Sequence, residues 1–283
     1  MIWHDGRLIP REGLRIGADD RIFEHGLGLF ETLRTWDGVA PLLFEHLARM
    51  RASADDLGLP TDRVTYPDDR AVARLVGAEG LGPDVMIRIT MTGGSASGES
   101  AVAWMTARPL PPVEPMPIRV SIDIASSGCE EVSIARHKNL NYWGRRLAYE
   151  RARAMGLTEV LMTNAARRLW ECSRNNVLFI PAGEPTTIAT PALRGPVIPG
   201  IMRRRALDFA ATLGYTIDER AVVVDELFTA DAVFLTNSVR GVRRVDEVGS
   251  TRLNGGPNEL SRAFAEDLPK LIRGHSIEGV AAQ

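Results

Sequence analysis

Apolar residues near the start of the chain recur with a two-residue period, then switch to a helical one. Ile2-Trp3-His4 and Arg7-Leu8-Ile9 flank Asp5-Gly6, a dipeptide that supplies the positive backbone torsions of a tight hairpin turn. Asp37-Gly38 repeats that signal and predicts a second hairpin joining residues 29–36 to 39–42. Leu43, Leu47, Met50, Ala54 and Leu57 then share one helical face, which Gly58 terminates. Residues 84–92 return to alternation, with Val85, Ile87, Ile89 and Met91 on one side and Met86, Arg88, Thr90 and Thr92 on the other. The first part of the chain is therefore predicted to be α+β.

Residues 109–117 carry five of the chain's 17 prolines. Such a segment is stiff and extended and joins neither a helix nor a central strand, so it predicts a linker. It would divide the chain into a small N-terminal α+β domain, residues 1–108, and a larger C-terminal α/β domain, residues 118–283. Beyond it Ile118, Val120, Ile122 and Ile124 alternate as a strand. A helix is predicted over 141–155 with Gly156 after it, followed by short strands over 159–163, 168–171 and 177–181. Met202, Ala206, Phe209, Ala210 and Leu213 mark an amphipathic helix over 201–213, stopped by Gly214. Asp225 is placed as the N-cap of a short helix through Ala230, leading into a strand over 232–236. No internal repeat or low-complexity tract interrupts this order.

Composition narrows the possibilities. With 283 residues, 45% hydrophobic and 25% charged, the chain has the make-up of a globular protein able to bury a large core. A net charge of -2 gives no reason to expect nucleic acid or an anionic membrane as partner. The first residues lack the basic segment and apolar run of a signal peptide, and no apolar stretch approaches a membrane span. Two cysteines, Cys129 and Cys172, are too few for a disulfide framework, so a cytoplasmic protein is expected.

The chemistry concentrates in Arg136-His137-Lys138-Asn139-Leu140-Asn141-Tyr142 and in Trp170-Glu171-Cys172-Ser173-Arg174-Asn175-Asn176. A lysine set between a strand pattern and a helix pattern is a candidate Schiff-base former, and a carboxylate from a separate strand is what a pyridinium nitrogen needs. Together Lys138 and Glu171 point toward pyridoxal phosphate; taken alone, Lys138 is simply an exposed lysine. Pro199-Gly200-Ile201-Met202 opens a helix, whose unpaired N–H groups attract phosphate, though a Pro-Gly turn starting an ordinary helix is the plainer reading. Arg203-Arg204-Arg205 reads as a solvated helix face with one or two salt bridges. Gly26-Leu27-Gly28 lacks the third glycine and preceding strand of a dinucleotide fingerprint. The histidines, His4, His25, His46, His137 and His275, form no metal spacing, and no Gly-x-Ser-x-Gly elbow is present. Cys172 reads as a small buried filler.

In this order the motifs resemble the fold-type IV pyridoxal-phosphate enzymes, the class-IV aminotransferase family of branched-chain aminotransferases, D-amino-acid aminotransferases and 4-amino-4-deoxychorismate lyases. The similarity covers nearly the whole chain. Asp20-Arg21-Ile22-Phe23 through Gly28-Leu29-Phe30-Glu31 is similar to the family's Asp-Arg-Gly-Phe and Asp-Gly-Val-Phe-Glu segment, with Leu27 where an aspartate is usual. His46-Leu47-Ala48-Arg49-Met50 is similar to its His-Leu-x-Arg-Leu helix, and Lys138-Asn139-Leu140-Asn141 to its Lys-x-Leu-Asn. Glu171 through Asn176-Val177, Ile198-Pro199-Gly200-Ile201-Met202-Arg203, and residues 230–238 match the remaining motifs.

The resemblance implies a two-domain α+β fold like that of D-amino-acid aminotransferase, pyridoxal 5'-phosphate as cofactor, and a homodimer. It implies Lys138 as the catalytic lysine and Glu171 as partner of the pyridine nitrogen. Arg49, the N–H groups of Ile201 and Met202, and Ser238 are implied as the phosphate grip, with Ile198 lining the cofactor and Tyr142 at its ring hydroxyl. Phe30, Arg88 and Arg240 are the substrate candidates, either arginine offering a two-pronged match to a carboxylate. Subfamily marks are mixed. Met202 and Glu171-Cys172 resemble the lyases, whereas Arg88 and Tyr142 resemble the branched-chain enzymes, and residues 92–100 carry no arginine. The expected activity is transfer of an amino group between an amino acid and an α-keto acid. The alternatives are a lyase releasing p-aminobenzoate and pyruvate, and a non-catalytic scaffold that kept the fold; retention of Lys138 and Glu171 argues against the last.

Overall fold

The computed structural model describes residues 1–98, 100–113, 116–124, 133–253 and 259–274. Glu99, Cys129, His275 and the Glu114-Pro115 step of the proline-rich segment lie outside them. The chain divides into two compact units, one formed by Met1–Pro112 with His137–Asn141 and the other by Val113–Arg136 with Tyr142–Gln283.

In the first unit, strands β1 (Ile2–His4), β2 (Arg7–Ile9), β3 (Gly28–Arg34), β4 (Val85–Thr92) and β5 (Ala103–Pro109) form one antiparallel sheet in the order β2-β1-β5-β4-β3. Helix α1 (Arg21–His25) precedes β3, and α2 (Leu43–Asp56) and α3 (Asp69–Ala78) follow it. The alternation in β4 is realised: Val85, Ile87, Ile89 and Met91 join Leu47, Met50, Ala54, Val72 and Leu75 in one core. The Asp5-Gly6 hairpin forms in the predicted register, Ile2 opposite Ile9. The second hairpin shrinks to a single bridge, Trp36 opposite Val39, around Asp37 and Gly38. Pro41 has no N–H with which to continue a ladder, and α2 begins at Leu43. Helix α3 and strand β5 had no prediction; Asp68 caps α3 by accepting from Ala71 N–H at 2.8 Å.

The second unit holds two sheets. Strands β6 (Arg119–Ile124), β7 (Glu159–Thr163), β8 (Arg168–Cys172), β12 (Val222–Val223), β15 (Glu247–Val248) and β16 (Thr251–Arg252) are ordered β12-β8-β7-β6-β15-β16. Strands β9 (Asn176–Ile180), β10 (Thr187–Pro191), β11 (Thr216–Arg220), β13 (Ala232–Asn237) and β14 (Gly241–Arg244) are ordered β11-β10-β9-β13-β14. Val120, Leu161, Leu169 and Cys172 from one sheet pack with Val177, Phe179, Val233 and Leu235 from the other. Helices α4 (Trp143–Ala154), α5 (Ile201–Thr212) and α6 (Glu259–Ile272) complete the unit. In α5, Met202, Ala206, Phe209 and Ala210 are buried as the periodicity predicts.

Two local expectations change. Asp225 is not an N-cap: it lies in the first turn of a 3-10 helix, Val224–Phe228, where the Arg167 guanidinium forks onto its carboxylate. Arg203 does not belong to a solvated face. It is 3% exposed and bonds Thr190 Oγ1, the Pro191 carbonyl and Glu219, while Arg204 stays exposed beside Asp208.

Candidate active site

Lys138 is set by backbone pairing. Phe30 N–H donates to the Lys138 carbonyl at 2.9 Å and Leu140 N–H donates to the Gly28 carbonyl at 3.0 Å, so the stretch lies antiparallel on β3. This pairing places His137–Asn141 with the first unit, although a division at the proline-rich segment assigns it to the second. Gly28 permits the approach. Its φ is +152°, and a Cβ there would stand 2.5 Å from the Met91 carbonyl oxygen and 2.7 Å from Leu140 Cδ1. Buried His137 adds a side-chain tie, its Nδ1 3.0 Å from Ser53 Oγ.

Phe30 brings two predicted residues together. Lys138 Nζ sits 4.4 Å from the Phe30 ring centroid, and the Arg88 guanidinium carbon, from the neighbouring strand, sits 4.0 Å from it. Arg49 is placed differently from a pure phosphate grip. Its Nε donates to Glu31 Oε1 at 2.8 Å and its Nη2 to Oε2, while His46 Nδ1 lies 2.6 Å from Oε2. Burial alone would push the Glu31 carboxyl up, but Arg49 and His46 outweigh it and hold the pKa at about 2. Burial drives His46 below its ordinary value despite Glu31 beside it, which keeps the imidazole neutral at physiological pH. The loop after β4 has no arginine of its own among its described residues. Arg21 of α1 reaches it, donating to the Gly93 and Gly94 carbonyls.

In the second unit Glu171 lies one residue before the end of β8 with 3% exposure. Asn176 Nδ2 donates to its Oε2 at 2.8 Å, Ile198 N–H spans both oxygens at 3.2 and 3.3 Å, and Arg145 Nη2 donates to Oε1. The same Asn176 amide donates to the Ile198 carbonyl at 2.9 Å, which locks the loop before α5 to the glutamate. Gly200 is tight against that asparagine, since a Cβ on it would meet Asn176 Oδ1 at 1.9 Å. Helix α5 follows with Gly200 as an N-cap that makes no side-chain cap, so its first turn presents main-chain N–H groups, those of Ile201 and Met202. The Met202 side chain is buried, leaving only its backbone for a ligand.

Ser238 and Arg240 occupy the turn between β13 and β14. Asn237 Oδ1 accepts from Val239 N–H at 2.9 Å and Arg240 N–H at 2.8 Å, and its Nδ2 donates to Asn175 Oδ1. Asn175 in turn donates to buried Glu159 at 2.6 Å. Tyr142, at the N-terminus of α4, commits its hydroxyl hydrogen to the Ser173 carbonyl at 2.7 Å. Burial, partly offset by Arg145, pushes that phenol's pKa up, so the hydroxyl stays protonated. Burial likewise raises the Cys172 thiol well above its ordinary range, consistent with a filler.

Sequence reasoning missed Glu31, His46 and Arg145. Glu31 and His46 did carry a signal: each is polar within an otherwise apolar core pattern, where a buried charge demands a partner. Arg145 carried none, because nothing in the sequence distinguishes it from Arg146, which pairs with Glu150 on the helix surface. Among the described residues no group of His, Cys, Asp or Glu is arranged to hold a metal ion.

The residues fit pyridoxal phosphate. A buried carboxyl group that accepts from Asn176, Ile198 and Arg145 suits a protonated ring nitrogen, and an uncapped helix start behind a glycine suits a phosphate. Residues 28–248 match the family described as amino-transferase class IV, and the chain belongs to that family. It is 26% identical over 264 residues, 91% of each chain, to a probable branched-chain-amino-acid aminotransferase of Thermotoga maritima. It is 25% identical over 283 residues to a bifunctional aminodeoxychorismate lyase / D-amino acid transaminase of Mycobacterium tuberculosis, covering 93% of this chain and 95% of that one. A branched-chain aminotransferase structure from Thermoproteus uzoniensis superposes with a TM-score of 0.83 at 24% identity, covering 96% of this chain and 94% of the other. The fold is that of the fold-type IV aminotransferases, and class IV aminotransferases use pyridoxal phosphate.

Proposed function

We propose that the chain is a pyridoxal-phosphate-dependent aminotransferase that moves an amino group between an amino acid and an α-keto acid. The observation that carries this reading is the family match over residues 28–248, joined to a buried Glu171 whose two oxygens accept from Asn176 and the Ile198 N–H. When bound, the cofactor supplies an electron sink for the negative charge left on Cα.

The residues act as follows. Lys138 Nζ would anchor the cofactor and, as a neutral amine, would carry the proton removed from the substrate Cα to the cofactor's C4′. Glu171 keeps the ring nitrogen protonated. The N–H groups of Ile201 and Met202, with Arg49 and Ser238, hold the phosphate, and Ile198 lines the cofactor while fixing Glu171 through its N–H. Tyr142 borders the ring, its hydroxyl directed to Ser173. Phe30 packs against the amine of Lys138 and shields it from water. Arg88 or Arg240 meets the substrate carboxylate. Valine, leucine and isoleucine are the donors to test first, a choice supported by the names of the branched-chain relatives. A cytoplasmic homodimer acting on small amino and keto acids completes the proposal; among the described residues, no helix is long and apolar enough to cross a membrane.

A second reading is release of p-aminobenzoate and pyruvate from aminodeoxychorismate, favoured by the buried Met202 at the phosphate helix and by the bifunctional relative. One panel decides: L and D amino donors against α-keto acids, beside aminodeoxychorismate alone. Keto-acid formation from an amino donor supports the transferase. Pyruvate and p-aminobenzoate with no amino transfer would overturn it in favour of the lyase.

A further inference from the structure

Arg145 is a partly buried cation that the proposed reaction does not use. It projects from the first turns of α4, its side chain is 15% exposed, and it makes two contacts at the end of β8. Nη2 donates to Glu171 Oε1, and Nη1 donates to the Cys172 carbonyl at 3.2 Å. The guanidinium carbon lies 5.7 Å from the Tyr142 ring centroid. The glutamate's other oxygen is held by Asn176, and the Ile198 N–H spans both. Arg145 is a charged donor, and a charged donor in a site shielded from water acts far more strongly than an amide.

Among the described residues, charged and titratable groups beside the pair include Glu159 of β7, Tyr142 and Cys172, the last of which faces Arg174 after β8 and Arg243 of β14. Glu159 is itself occupied by Ser173, Asn175 and Arg174. Burial works against the charge on Arg145, yet Glu171 outweighs it and leaves the guanidinium above its ordinary pKa. Two opposite charges thus sit locked together where a neutral pair would be cheaper to bury. Simple orientation of Glu171 does not require this, because Asn176 and the Ile198 N–H already fix both oxygens.

We propose that Arg145 is a positioning residue that shares the negative charge of Glu171 and so sets how strongly that carboxylate holds a proton on the ring nitrogen of bound pyridoxal phosphate. The inference rests on the reading of Glu171 as the ring-nitrogen partner. The adjacent guanidinium favours the charged form of Glu171, and it also draws charge away from the nitrogen. Removing it leaves a more basic glutamate and a more tightly held ring proton.

The experiment has two arms. In the cofactor-free protein, Glu171 is titrated by carbon-13 NMR of labelled glutamate carboxyls, assigned with Glu171→Gln. Arg145→Gln and Arg145→Met are both made, so that one neutral variant that folds is enough, with Arg145→Lys as the charge-keeping control. Each neutral variant is expected to raise the Glu171 midpoint by about 1–3 pH units, and Arg145→Lys to stay near wild type. In the loaded protein, nitrogen-15 NMR of ring-labelled cofactor follows the ring proton. It is expected to persist to higher pH in the neutral variants and to be lost at lower pH in Glu171→Gln. An unchanged Glu171 midpoint in a folded neutral variant overturns the inference, as does Arg145→Lys behaving like Arg145→Gln. A ring nitrogen that responds to Glu171→Gln but not to Arg145→Gln overturns the inference and leaves the reading of Glu171 standing. A ring nitrogen indifferent to Glu171→Gln overturns that reading itself.

Discussion

At the residue scale, the first unit contains a buried polar triad whose energetics are testable without any ligand. Glu31 is held at a pKa of about 2 against an ordinary 4.5 by Arg49 and His46. A carboxylate depressed on folding adds stability that is present above the unfolded value and is lost as pH falls through the folded one. That window runs from about 4.5 down to about 2. The shift corresponds to roughly 3 kcal/mol at neutral pH. His46 acts in the same direction: its folded pKa lies below 6.5, so protons favour the unfolded chain once the pH drops below that value. Urea unfolding between pH 7 and 2 should therefore show a steep acid loss in the wild type and a flatter one in Glu31→Gln, which starts from a lower plateau. Parallel curves would mean that the triad contributes nothing to acid sensitivity. For the chemistry, Lys138→Ala should abolish turnover and the absorption of lysine-bound cofactor while leaving the circular dichroism unchanged; near wild-type turnover removes Lys138 from the reaction. Glu171→Gln should keep bound cofactor and lose most activity, because a neutral amide does not hold the ring proton by charge pairing.

At the element scale, two close approaches decide where the key segments lie. The stretch His137–Asn141 reaches β3 only because position 28 has no side chain. In Gly28→Ala a methyl group would collide with the Met91 carbonyl, at a positive φ that L residues rarely adopt. A cost of about 2–4 kcal/mol is expected, read as a lower Tm together with slower loading of Lys138 by cofactor. A Tm within a degree of wild type would show that the lysine stretch can move without penalty. Gly200→Ala makes the matching test at α5, where the new Cβ would press on Asn176. It should weaken binding of pyridoxal phosphate more than binding of unphosphorylated pyridoxal, as measured by fluorescence titration, because the phosphate alone meets the helix start. Equal losses would place the phosphate elsewhere.

At the scale of the whole molecule, the proposed homodimer should appear as a single dimeric species in sedimentation velocity, with activity that falls on dilution below its dissociation constant. A monomer that is fully active at working dilution would contradict it. Substrate carboxylate recognition belongs here too, since Arg88 and Arg240 come from different units. Loss of the true partner should raise the Michaelis constant for amino and keto acids by roughly 10- to 150-fold, the worth of a charged hydrogen bond, and leave simple amines little changed. If Arg88→Ala and Arg240→Ala both leave the amino-acid kinetics unchanged, main-chain N–H groups or the partner subunit must supply the contact.

Much of this was determined by local sequence alone. Periodicity placed β4, α2, α4 and α5 to within a few residues, because one-sided burial imposes a repeat that is written in the chain. The motifs around Lys138, Glu171 and Pro199-Gly200 pointed to the family, since each is a short run of contiguous residues that is legible without knowing what it packs against. Strands β5, β10 and β11 and helix α6 escaped notice. A strand exists only against a partner, and α6 presents its apolar face to Phe209 and Phe234 from other elements. Gly26-Leu27-Gly28 offered only a rejected dinucleotide motif, and the need for glycine at 28 emerged once Met91 and Leu140 were brought beside it. Arg203 read as solvent-facing until Glu219 and Thr190 closed over it. The buried pairs, Glu31 with Arg49 and His46 and Glu171 with Arg145, were decided by tertiary structure alone. A charge is stable in a core only where a distant segment delivers its counter-charge, and residue type and spacing do not encode that meeting.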